Sequence, residues 1–95
     1  MIYPAKKKKK VDYEALNSPF MRIPGMPVWG ARALIDSGYF EIFEIQGRSA
    51  ESLMEDLRKK YPETPNDRLS IFRLAIYYAE TENPDSKLLT PQAWM

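Results

Sequence analysis

In the stretch IPGMPVWGARAL, residues 23–34, a proline and a glycine lead at once into a helical pattern. The chemistry open to such a turn is anion binding. Backbone N–H groups at a helix start point outward, the helix dipole adds positive potential, and glycine lets the backbone come close to a phosphate. Gly25 meets that need, and Arg22 and Arg32 flank the turn as cations able to pair with phosphate. Pro27 does not, because it has no N–H to give, and Val28 and Trp29 follow where a phosphate grip often carries basic residues. Contacts of this kind position a protein on a nucleic-acid backbone without reading sequence.

Two other roles fit the same residues. The turn can simply join two packed helices, with Gly25 supplying an unusual backbone angle, Pro27 at a helix start and Trp29 covering core. Alternatively Met26, Val28 and Trp29 form an exposed apolar knob for a protein partner, since Trp and Met are enriched at such surfaces. Exposure of Trp29 separates these last two.

The second feature with chemical potential is a run of five lysines, Lys6, Lys7, Lys8, Lys9 and Lys10. A block of like charges repels itself, so residues 1–10 are expected to form a disordered basic tail. Engaging five phosphates would give a steep salt dependence, about 0.9 log units per contact. A basic arm would reinforce a weak phosphate site by effective concentration. On its own the run fits a solvated tail. The lysines account for five of the fourteen basic side chains, which leaves nine against thirteen acidic ones in residues 11–95, a net charge of −4.

Glu51, Glu55 and Asp56 could in principle do acid–base work or hold Mg²⁺, but Arg58, Lys59 and Lys60 follow them on one helix. Acids early and bases late match the helix dipole on an exposed face. Tyr77 and Tyr78 look like a stacking platform only in composition, and core positions with hydroxyls at the rim explain them better. The chain has no cysteine and no histidine, which removes thiolate catalysis, zinc–thiolate sites and the commonest general base. The expectation is a protein that is not an enzyme and needs no cofactor or metal.

Ninety-five residues fill one core, so residues 11–95 are expected to be a single helical domain. Without a bilayer-length apolar stretch or an apolar run behind the lysines, the expected location is cytoplasmic, with no membrane partner. Tyr13, Leu16, Phe20 and Ile23 recur at helical spacing, although Pro19 must kink that helix or open a new turn after Ser18. A second helix runs from about 28 to 37 with Val28, Ala31, Leu34 and Ile35 inward and Gly38 as its stop. The run YFEIFEIQGR reads as a short helical turn ending at Gly47, because a lone strand would have no partner. Ser49 caps a helix over about 50–61. In TPND, Thr64 is the expected cap, with Pro65 first in the helix and Asp67 in its first turn. That helix buries Leu69, Phe72, Ala75, Ile76 and Ala79, and a tail anchored by Leu88, Leu89 and Trp94 folds back on it. The sum is all-α, about five short helices.

The order of these features resembles a helix-hairpin-helix family, with the motif at about 13–37. Its pattern appears as Ile23, Pro24, Gly25, Met26, Pro27, then Val28, Trp29, Gly30 and Ala31, with Leu34 and Gly38 at the expected steps. The run DRLSIFRLAIYYAETENPDSKLL is similar to the closing helix and tail of small bacterial proteins of the pathogenicity-locus or mitomycin-resistance-like type. The resemblance covers about residues 16–90. It implies a compact SAM-domain-like fold and a DNA-related role. The resulting expectation is a non-catalytic module that engages the DNA backbone weakly, through Arg22, Gly25, Arg32 and the lysine run. The alternative is a protein-interaction adaptor using Met26, Val28 and Trp29.

Overall fold

The computed structural model describes residues 11–95. The lysine run and the basic tail expected around it lie outside the described residues. Among the described residues the chain is all-helical, with no strand. Four α-helices, α1 (Tyr13–Leu16), α2 (Val28–Asp36), α3 (Ala50–Lys60) and α4 (Arg68–Glu80), are joined by 3₁₀ turns at Pro19–Arg22 and Ile42–Ile45 and followed by two more at Ser86–Leu88 and Pro91–Trp94. None of these helices is long and apolar enough to cross a membrane.

The local signals explain most of the boundaries. Asp12 opens α1 by accepting the Ala15 N–H at 3.2 Å. Pro19 opens a separate 3₁₀ turn after Ser18, since its ring would clash inside a continuous helix. Helix α2 ends in a Schellman motif: Gly38 adopts φ +102°, its N–H reaches the Ile35 carbonyl at 2.9 Å, and the Tyr39 N–H reaches Leu34 at 3.2 Å. Ser49 caps α3 by accepting the Ser52 N–H at 3.0 Å.

The start of α4 differs from expectation. It begins at Arg68 rather than at Pro65, and Asp67 stands at the cap position without a side-chain bond to the helix N–H groups. Thr64 is not the cap because it is bonded back toward the end of α3. Its hydroxyl donates to the Tyr61 carbonyl at 2.7 Å, and its own carbonyl accepts from Arg58 Nη2 at 2.8 Å.

One buried cluster draws on all four helices and two of the turns. Phe20, Ile23, Leu34, Ile45, Leu53, Ile71, Phe72 and Leu74 are its largest fully buried side chains. Helix α4 runs through the middle, contributing Ile71, Phe72, Leu74 and Ala75. Gly30 lets α2 approach it, since a Cβ there would stand 3.0 Å from Ile71 Cγ2. The C-terminal segment folds back on α4. Leu89 and Trp94 pack against the core, the Trp94 indole donates to the Leu88 carbonyl at 2.8 Å, and its ring lies 5.3 Å from that of Tyr77.

Candidate functional site

At the 23–27 turn, Gly25 adopts φ +79°. A Cβ there would stand 2.7 Å from the Leu89 carbonyl oxygen, so the turn abuts the chain's own C-terminal segment. Pro27 is the N-cap of α2, extended at φ −77° and ψ 160°, and its carbonyl accepts from Gly30 and Ala31. The outer donors of this helix start are therefore the N–H groups of Val28 and Trp29.

Arg32, expected to pair with phosphate, is held by carboxylates. Asp12 takes Nε at 2.8 Å and Nη2 at 2.7 Å, Glu14 takes Nη2 at 3.0 Å, and Asp36 takes Nη1 at 3.2 Å. The bond to Arg32, aided by the Ala15 N–H, holds the Asp12 carboxyl down to about 2. The same bonds push the Arg32 guanidinium still further above its ordinary range. Three negative partners leave this cation neutralised in place. Arg22 is exposed at the end of its 3₁₀ turn.

The expected apolar knob is divided by the fold. Met26 is only 6% exposed and belongs to the core, which corrects its place on an interaction surface. Val28 is half-buried against the same cluster. Trp29 is 46% exposed, and the Arg68 guanidinium lies over its ring at 4.5 Å from the centroid. That distance suits a cation–π contact.

Trp29 forms one wall of a groove of about 640 Å³ between α2, the end of α3, the 61–65 loop and the start of α4. Tyr61, 49% exposed, also lines it, and the Lys60 ammonium sits 6.0 Å from the Tyr61 ring centroid. Ala33 and Leu57 add apolar surface. Pro62 and Pro65 stiffen the loop, and Arg58 ties it down through Thr64 and through Asn66 Oδ1 at 2.7 Å. The result is an open cleft with two aromatic faces, each carrying a cation. Such a surface holds an apolar side chain and orients it with charge. Lys60, Tyr61 and Arg68 were not legible as site residues. The available hint was YPETP, an aromatic at a helix end followed by two prolines.

The acidic residues of α3 do not converge. Asp56 accepts from the Tyr39 hydroxyl at 2.8 Å, while Glu51 faces Arg73 at 3.8 Å. Burial, and then the bond to Asp56, push the Tyr39 hydroxyl up. Tyr77 accepts the Asp85 N–H at 2.8 Å through its hydroxyl and so helps fold the tail. Compared with known protein families, curated proteins and solved structures, the chain matches none of them.

Proposed function

We propose that the chain is a non-catalytic helical binding module, of the helix-hairpin-helix kind, whose Trp29 groove receives a segment of a partner protein. The observation that carries this reading is Trp29 itself, 46% exposed in a groove of about 640 Å³ with the Arg68 guanidinium over its ring. Trp, Tyr and Arg dominate the energetics of protein interfaces. An aromatic already fixed by a neighbour loses little conformational entropy when a partner covers it. The same proposal keeps the chain in the cytoplasm, without a cofactor.

Binding to the DNA backbone has less support. The exposed Arg22, the amides of Val28 and Trp29, and the lysine run favour it. Against it stand the three carboxylates on Arg32, the missing N–H of Pro27 and the net charge of −4 over residues 11–95.

Amide shifts of the full chain, followed by NMR, test the proposal. Peptides selected from a displayed library should move Trp29, Tyr61 and Arg68 and lose binding in Trp29→Ala. Duplex DNA binding that falls with Arg22→Ala and survives Trp29→Ala would sink the proposal in favour of a nucleic-acid role.

A further inference from the structure

We infer that one occupant of the Trp29 groove is a second copy of this chain, inserting its 40–44 segment. This rests on the groove being a protein-binding site. Phe40 and Phe43 are 55% and 67% exposed, the latter more than any other described aromatic. Sequence periodicity alone would leave these rings unassigned, but the fold fixes them outward. Ile45 is fully buried and Ile42 packs against the core, so the 3₁₀ turn is anchored from below. The Glu44 carboxylate accepts the N–H groups of Phe40 at 2.7 Å and Glu41 at 2.8 Å, closing a capping box. Two aromatic rings are thus presented on a preorganised backbone, which lowers the entropy cost of docking.

Charge favours the pairing. The inserted segment places Glu41 and Glu44 beside its two rings. In the groove, Arg32 and Asp36 pair with each other, and Asp36 is mostly covered, at 12% side-chain exposure. Lys60 also lies 4.0 Å from Asp36, so the lining holds three cations, Arg32, Lys60 and Arg68, against two carboxylates, Asp36 and Glu63. Arg68 also holds Asp67, which is outside the lining, at 2.7 Å. The outward cations are those that sit over the two aromatic walls.

Geometry makes the contact intermolecular. Gln46 ties the Ile42–Ile45 turn to the far end of α4, donating to the Ala79 carbonyl at 2.7 Å. Arg68, at the groove, begins that helix. The eleven-residue step between them rises about 16 Å. Knob and groove therefore lie toward different ends of α4, so one copy's knob fills the next copy's groove, a heterologous head-to-tail contact. Two aromatic side chains bury roughly 300–500 Å². That is below the size of a stable interface, so association should be transient, with a dissociation constant of roughly 10–1000 µM.

Sedimentation velocity of the full chain, from about 10 µM to about 1 mM, tests this. The weight-average mass should rise with concentration. Phe43→Glu, which keeps the groove, and Trp29→Ala with Lys60→Glu, which keeps the knob, should each stay monomeric. Mixed, they should form a dimer that grows no further, because each retains one intact surface. The inference is overturned if Phe43→Glu associates like the parent, if the mixture stays monomeric, or if the parent is monomeric at about 1 mM. Library peptides that still bind at Trp29 in any of those cases would leave the groove reading standing. Their absence would remove both.

Discussion

Gly25 and Leu89 meet so closely that a Cβ on the glycine would lie 2.7 Å from the leucine's carbonyl oxygen. The hairpin glycine is thus explained by the chain's own C-terminal segment, with no phosphate required. Gly25→Ala should cost about 3 kcal/mol, combining roughly 1–2 for the left-handed backbone with a clash against backbone that no rotamer relieves. Gly38→Ala is the control. It has φ +102° with nothing within 4 Å of a Cβ, so only the backbone strain of roughly 1–2 kcal/mol remains. Urea unfolding of both variants checks this, and equal losses would mean that the Leu89 contact is immaterial.

The Asp12–Arg32 pair makes a pH-dependent contribution with a definite sign. Asp12 is held down to about 2 from its ordinary value of 3.8. A carboxyl lowered in the folded state stabilises fully above its unfolded value, and that stability is lost as pH falls through the folded one. Arg32→Gln should therefore be less stable than the parent at neutral pH, and the gap should close between about pH 4 and pH 2. Urea midpoints across that range decide it. A gap that stays constant would mean that the ionised Asp12 is not the origin of the effect.

Elements with a strong local signal were legible. Helix α2 could be read from the spacing of Ala31, Leu34 and Ile35 and from Gly38, because a left-handed C-terminal stop is a local property. Helix α3 followed from Ser49 for the same reason. Thr64 misled because Arg58, near the end of α3, holds its carbonyl and its hydroxyl turns back to the Tyr61 carbonyl, so the residue closes the α3 end and does not open α4. Met26 misled because its burial depends on how α2 seats against α4. Periodicity says which residues share a face, not which face is covered. The groove was illegible for a related reason. Trp29, Tyr61 and Arg68 come from three separate elements, and only the packing of α2, α3 and α4 brings them to one cleft.

The core around α4 sets the stability of the whole domain. Phe72 is fully buried, so Phe72→Ala should cost about 3–5 kcal/mol, the lost transfer energy plus the cavity left behind. Small domains hold only about 5–15 kcal/mol in total, so the melting temperature should drop steeply. Phe43→Ala, at 67% exposure, should stay within about 0.5 kcal/mol of the parent. Thermal unfolding by circular dichroism compares the two. A large loss at Phe43 would place that ring in the core and remove it from any interaction surface.

Trp29 and Arg68 should separate binding from folding. Their contact is partly exposed, with the tryptophan 46% accessible, and cation–π pairs at such sites contribute about 0.5–1 kcal/mol. A double-mutant cycle with Trp29→Ala and Arg68→Gln should return a coupling of that size, with each single variant folded at room temperature. Groove binding should behave otherwise. Loss of the tryptophan removes the ring a partner would cover, and the affinity of a groove-bound peptide should fall by about 2 kcal/mol or more, roughly thirtyfold. Arg68→Gln keeps the ring and removes only its cation, so it should weaken binding less and make it less sensitive to salt. If both variants lowered stability and binding in the same proportion, the pair would be a structural clamp and the groove merely a gap between helices.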